Sequence, residues 1–285
     1  MMQKGQKGPK VVELQRALLR KGYGLPRYGA DGWLGDETLQ AAFEYALDNG
    51  YGGEPFEADI PTEVTDVLIT FVERVEDVPI GMVDVRKEAS ALRKAAGLAP
   101  RKKRRWSDIT GITLHQTATV LGERPRLKLG IHYVITRSGT IHYINDHACK
   151  VPQAQHLFNR HDVGIELDGY YSGIGSDLRY FWKPKSKPDR RPMVPTDELI
   201  QSARDTIRFI CNDIADHGGK IEFIHAHRQT SRSRTSDPGE LLWKAVGIWA
   251  QQTLGLSDGG IGYSILTGNP IPEQWDPRCK GIPYR

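Results

Sequence analysis

Ile109-Thr110-Gly111-Ile112-Thr113-Leu114-His115 is a β-rich run whose apolar residues suit an interior strand, and Gln116-Thr117-Ala118 carries the chain out of the sheet. His115 therefore stands at a strand end, where loops assemble sites. Downstream, Ile131 to Thr136, the turn Arg137-Ser138-Gly139, and Thr140 to Ile144 read as a hairpin with glycine at a left-handed position. Val163-Gly164-Ile165-Glu166-Leu167 is a further buried strand. Its carboxylate lies among large aliphatic residues, so Glu166 either points to the opposite face or is kept there for a purpose. Pro195-Thr196 opens a long helix through Leu199, Ile200, Ala203, Ile207, Ile210 and Ile214, ended by Gly218-Gly219. Ile221 to Ile224 forms a strand running into His225-Ala226-His227, and Ser236-Asp237-Pro238-Gly239 precedes a final helix reaching Leu254. This order of elements predicts an α/β (α+β) domain over residues 106–255, with a central mixed sheet flanked by helices.

Outward from that domain the chain changes character. Residues 77–105 read as a connector, with a short helix from Val85 to Ala96 and then the basic run Arg101-Lys102-Lys103-Arg104-Arg105, expected to be a solvated linker. Residues 256–285 form a Gly- and Pro-rich tail without periodicity, whose Tyr263, Trp275 and Tyr284 suit packing on the domain surface, a mobile end being the other reading. Residues 1–76 predict a small all-α module of three helices. Val11, Val12, Leu14, Ala17, Leu18 and Leu19 recur at helical spacing up to Gly22, Asp31-Gly32-Trp33-Leu34-Gly35 makes a turn, Thr38 to Phe43 starts a second helix, and Glu63 to Glu76 gives a third.

At 285 residues, with 39% hydrophobic and 26% charged residues, the chain has the makings of two globular domains. No apolar run approaches the roughly 18 residues of a spanning helix, so membrane insertion is not expected. The N-terminus lacks the apolar core of a secretory signal, so accumulation in the cytoplasm, unless something else releases the protein, is the expectation. Cys149, Cys211 and Cys279 form no CxxC pair and are expected as three reduced thiols. A net charge of +4 is too mild for a dedicated nucleic-acid domain.

Two histidines at strand ends and an aspartate before a proline turn offer two imidazole nitrogens and a hard oxygen, a donor set that fits a three-ligand zinc site with an open fourth position. The motifs His115-Gln116-Thr117, Val163 to Leu167, and His227-Arg228-Gln229 followed by Asp237-Pro238-Gly239 resemble the type 2 N-acetylmuramoyl-L-alanine amidases, a group that includes phage endolysins and peptidoglycan recognition proteins. The resemblance implies one zinc ion held by His115, His227 and Asp237, with His225 nearby in a supporting or core role. It implies Glu166 as the catalytic glutamate, Thr235 as a hydrogen-bond donor to the oxyanion, and His156, Asn159 and Tyr133 as substrate contacts. Where many relatives carry a tyrosine in the hairpin strand this chain has Ile131, with Tyr133 two residues on. Arg232 and Arg234 read as charges of a solvated loop or as compensation for the uncharged threonine.

Leu14-Gln15, Leu18, Gly22-Tyr23, Asp31-Gly32, Gly35, Thr38 and Ala41 likewise resemble the type 1 peptidoglycan-binding module, with Phe43-Glu44 replacing its usual Phe-Gln. There Tyr28, Asp31 and Trp33 are the residues placed to touch glycan. Together the two resemblances imply a modular, monomeric, endolysin-like hydrolase acting on bacterial peptidoglycan. A zinc-free recognition protein, a cellular wall-remodelling amidase, and a nucleic-acid contact through residues 101–105 are the competing readings.

Overall fold

The computed structural model describes all residues except 21–22, 26, 67–77, 123–129, 176, 182–188 and 285. The chain divides into two compact units, Met1–Val78 and Pro79–Arg285.

In the first unit, β1 (Met2–Gln3), α1 (Pro9–Arg20), α2 (Asp36–Asp48) and β2 (Asp59–Ile60) follow in order. The apolar stripe of α1 buries Val11, Leu14, Ala17 and Leu18 against Leu39, Ala42, Tyr45 and Ala46 of α2. Between the helices, Gln15 is buried and binds the turn that the sequence singles out. Its amide nitrogen donates to Asp31 Oδ1 (2.8 Å), the Trp33 carbonyl (3.0 Å) and Thr38 Oγ1 (3.0 Å), and its oxygen accepts from Gly32 N–H (2.8 Å). The unit is not all-α as expected: β1 and β2 pair antiparallel, Met2 with Ile60. Residues 62–66 are helical, while the remainder of the expected third helix and the Gly22 stop lie outside the described residues.

The second unit adds β3 (Met82–Asp84), α3 (Arg86–Ala95), β4 (Gly111–Gln116), β5 (Tyr133–Ile135), β6 (Ile141–Tyr143), α4 (His156–His161), β7 (Asp162–Leu167), α5 (Asp197–Asp216), β8 (Phe223–Ala226), α6 (Glu240–Leu242) and α7 (Ile248–Leu254). Six strands form one mixed sheet in the order β3-β6-β5-β7-β4-β8. All neighbouring pairs are parallel except the β5–β6 hairpin, whose turn glycine, Gly139, has φ +88°.

Side chains alternate between sheet faces, and the register sorts them by chemistry. Ile112, Leu114, Tyr133, Ile135, Ile141, Val163, Ile165, Leu167 and Ile224 share one face and pack against Leu199, Ala203, Ile207, Ile210 and Ile214 of α5. Thr196 caps α5 by accepting Leu199 N–H, and Asp197 and Glu198 favour its positive end. The opposite face carries Thr113, His115, His132, Asp162, Glu166 and His225; Ala89 of α3 packs on Val134 there, and Phe158 of α4 meets the His225 ring at 4.6 Å.

Two flanks expected to lie outside the domain are built into it. β3, from the presumed connector, pairs with β6 through Met82–Ile141, Val83–His142 and Asp84–Tyr143. The basic run is not a solvated linker either: Arg104 N–H donates to the Ala148 carbonyl and Lys150 N–H to the Lys102 carbonyl, each at 2.8 Å. The Arg104 guanidinium turns inward onto the carbonyls of His147 (2.9 Å) and Asp162 (2.9 Å), and burial lowers its pKa to about 10. Five basic residues in a row look alike in sequence, but one has a ring of carbonyls to satisfy. At the other end, Ile271, Trp275 and Cys279 join the main core, and the Trp275 indole donates to the Gly173 carbonyl. All three cysteines are free thiols. Among the described residues, no helix is long and apolar enough to cross a membrane.

Candidate metal centre

β4 and β8 run side by side, and one residue past their last registered pair, Leu114 and Ala226, come His115 and His227. Their Nδ1 atoms lie 2.9 Å apart, and Asp237 Oδ2 is 2.9 Å from His227 Nδ1. These three side chains, drawn from three separate stretches of chain, form a group whose ligand atoms lie within 4.8 Å of one another. Asp237 is fixed from two sides: its Oδ1 accepts Gln116 N–H (2.9 Å), and its backbone carbonyl accepts Arg228 N–H (2.9 Å). Gln116 also accepts Tyr171 N–H (2.7 Å) and donates to the Ser236 carbonyl, closing the loop over the strand end. The Asp237–Pro238 peptide is cis.

The electrostatics suit a cation. Burial, reinforced by the neighbouring His227 ring, pushes the His115 imidazole down to about 3, so it is neutral and has a lone pair to give. Burial acts to raise Asp237, but His227, His115 and the Gln116 N–H outweigh it and hold the carboxyl below its ordinary value. His115 Nε2 is buried without a hydrogen-bond partner. Two imidazole nitrogens and a carboxylate, converging where solvent scarcely reaches, are donors that fit a zinc-type divalent ion. The other group with metal-ligand spacing, Asp258, Asp276 and Cys279, is committed internally: Asp276 receives the Arg278 backbone N–H and guanidinium, and Asp258 receives Gly260 N–H.

Glu166 lies beside His115 in the β4–β7 register, on the same face. This resolves the strand reading: Ile165 and Leu167 face α5, and the carboxylate faces the site. His225, expected in a supporting or core role, is buried on the same sheet face. Its Nδ1 meets Asp162 Oδ2 at 2.8 Å, and that carboxylate also accepts the Thr113 hydroxyl at 2.6 Å. Thr235 lines a cleft of about 70 Å³ with Gln116, Ala118, Arg234 and Asp237, and its carbonyl accepts from the Arg228 guanidinium.

Three expected substrate contacts have other partners in the structure. Tyr133 is fully buried on the α5 face, with its hydroxyl 2.6 Å from His147 Nε2 and its ring stacked on Tyr143, because pairing with Ile165 fixes its parity. Asn159 spends both ends of its amide on the Ala154 backbone. His156 is exposed at the start of α4, 3.4 Å from the Lys150 amine. In the first unit, Tyr28, Asp31 and Trp33 do come together, lining a cleft of about 230 Å³. Asp31 is tied there to Gln15 and to Trp33 N–H (2.9 Å), whereas Tyr28 and Trp33 are 61% and 47% exposed and present their rings. Sequence reasoning missed Gln116 as the clasp on Asp237; its place directly after His115 was the available signal.

Residues 105–240 match the family model described as N-acetylmuramoyl-L-alanine amidase. The matched segment takes in His115, Glu166, His227, Thr235 and Asp237. A protein of Bacillus licheniformis described as a probable N-acetylmuramoyl-L-alanine amidase is 49% identical over 41 residues, which is 14% of this chain and 12% of that relative's length. Among solved structures, the endolysin amidase LysCS of Clostridium intestinale aligns at 14% identity with a TM-score of 0.40, covering 62% of this chain and 96% of its own. Drosophila PGRP-LB aligns at 15% identity and 0.41, covering 63% and 97%.

Proposed function

We propose that this chain is a zinc-dependent N-acetylmuramoyl-L-alanine amidase that hydrolyses the amide between the lactyl group of muramic acid and the L-alanine of the stem peptide. The observation that carries the reading is the convergence of His115, His227 and Asp237 within the segment that matches the amidase model. Zinc at these ligands supplies Lewis acidity, polarising the scissile carbonyl and acidifying water. The side chains do the rest. Neutral His115 and the clasped Asp237 hold the charge in place, and Glu166 takes the proton from the attacking water and delivers it to the departing L-alanine nitrogen. Thr235, on the wall of the cleft, is the uncharged candidate to meet the developing oxyanion.

The exposed rings of Tyr28 and Trp33 support a wall-anchoring role for the first unit, which raises the local concentration of insoluble substrate. In this reading the protein is endolysin-like and reaches the wall after release from the cytoplasm. Recognition without catalysis is the second reading, and it is favoured by the removal of Tyr133 from the site. Mass spectrometry of purified peptidoglycan decides between them. Stem peptides with a free L-alanine amine should appear on digestion and vanish with a chelator. Zinc-loaded protein that binds walls of several chemotypes and releases nothing would establish recognition alone.

A further inference from the structure

The cations of this chain are not spread evenly. Residues 86–105 hold nine of its 39 lysines and arginines and one of its 35 carboxylates, Glu88, a net charge of +8 in a chain whose total is +4. The stretch comprises α3 and the basic run, and all of it but Arg105 precedes the amidase match. Hydrolysis as proposed above calls on none of its side chains.

Contacts gather this charge on one surface. Asp146 joins its two parts, 3.6 Å from the Arg86 guanidinium of α3 and 3.1 Å from the Lys103 amine of the run. The bridge between Lys103 and Cys149 and the inward-turned Arg104 pin the run to the domain. Lys87, Lys94 and Lys102 are exposed, and among the described residues none of them lies within ion-pairing distance of a carboxylate. Like charges fixed side by side repel, and a bound polyanion relieves that repulsion.

The apolar side of α3 is covered over its first half only. Val85 and Ala89 pack against Ile131, Val134 and Ile144, whereas Ala91, Leu92, Ala95 and Ala96 are exposed. Gly97, at φ +67°, ends the helix, and Leu98 beyond it is 47% exposed, close to the 41% of Leu92. At about 100° per residue, Lys87 and Lys94 border the row of Ala91 and Ala95 on one side, and Leu92 borders it on the other. Nucleic acid offers such a surface phosphates but nothing for a leucine to enter. An anionic bilayer offers phosphates above hydrocarbon. We propose that α3 and residues 97–105 dock on an anionic phospholipid bilayer, lying on it and not across it, with Leu92 and Leu98 at the acyl boundary and Lys87, Lys94 and Lys102 at the phosphates. Lipid binding of this kind goes beyond the amidase reading and does not depend on it.

The test is sedimentation of the whole chain with vesicles of phosphatidylglycerol and phosphatidylcholine in equal parts, and with vesicles of phosphatidylcholine alone. The anionic vesicles should bind at least about 10²-fold more tightly. Each basic residue near an anionic surface contributes about five-fold. Lys87→Gln, Lys94→Gln and Lys102→Gln together should therefore weaken binding about 10²-fold, whereas Lys87→Arg, Lys94→Arg and Lys102→Arg together should preserve it. Leu92→Ser with Leu98→Ser should weaken it at least about ten-fold. All five positions are exposed, so circular dichroism and the melting temperature should match the wild type. A wild type that binds neither vesicle, or both equally, overturns the inference, as do glutamine or serine variants that bind like the wild type. Tighter binding to duplex DNA than to anionic vesicles of equal phosphate, unaffected by the leucine substitutions, would overturn it in favour of nucleic acid. Wall digestion measured on the wild type keeps the two readings apart. Digestion without vesicle binding leaves the amidase and removes the docking surface, and vesicle binding without digestion does the reverse.

Discussion

Arg104→Ala discriminates sharply between a solvated linker and a structural cation. In the structure its guanidinium donates to the carbonyls of His147 (3.1 and 2.9 Å), Asp162 (2.9 Å) and, more weakly, Asn159 (3.4 Å). Hydrogen bonds from a charged group contribute about 1.5–3 kcal/mol each, and a buried carbonyl left without a donor costs about 1–3 kcal/mol. Water reaching part of the vacated space offsets some of this, so the expected loss is about 3–5 kcal/mol. At about 2–4 °C per kcal/mol for a unit of this size, the melting temperature should fall by about 10 °C. Five of the six tryptophans lie in residues 79–285, so intrinsic fluorescence during thermal or urea unfolding reports mainly on this unit. Arg104→Lys, with one compact donor group in place of a planar fork, should recover only part of the loss. A shift below 1 °C for Arg104→Ala, equal to that of Lys102→Ala, would refute the reasoning.

Asp237→Ala should abolish stoichiometric zinc in elemental analysis, whereas Glu166→Gln should keep the zinc and lower wall hydrolysis by at least about 10²; equal zinc loss in both would remove the distinction between ligand and proton carrier. With chelator present, stability should decline as pH falls from about 6.5 toward 3, because unfolded His115 takes up a proton that the folded, buried ring refuses. His115→Gln should flatten that slope in urea titrations. Gly164→Ala should destabilise the second unit by about 1–3 kcal/mol, because its Cβ would meet Gln153 Oε1 at 1.4 Å and Ile131 Cδ1 at 2.5 Å. Trp33→Ala should reduce retention on purified walls in sedimentation assays while leaving the far-ultraviolet circular dichroism unchanged, since nearly half of that side chain is in solvent.

The convergence of His115, His227 and Asp237 was legible because strand ends and a proline turn announce themselves locally and the surrounding motifs follow the order seen in the amidases, and period-2 alternation alone gives the face of Glu166 within β7. What stayed hidden depends on distant partners. Met82-Val83-Asp84 is too short to carry a periodic signal, and its strand character comes from pairing with residues 141–143. Tyr133 was displaced by parity: one residue's difference in register sends a side chain to the other face, and the register is set by β7, not by β5 itself. The C-terminal segment has no periodicity because it packs through single anchors, such as Trp275 and Asn269, and not through a repeating stripe.

The pairing of β3 with β6 bears on how such proteins can be recombined. Similarity to the amidase family begins at residue 105, which invites a cut there. A chain cut at that point would leave Ile141–Tyr143 as the rim of the sheet, with its backbone donors and acceptors bare and ready to recruit strands from other molecules. A join between Val78 and Pro79 travels with its own sealing strand. The exchangeable cassette is therefore longer than the segment that matches the family model, and chimaeras that swap the first unit should stay dispersed only when the seam respects Pro79.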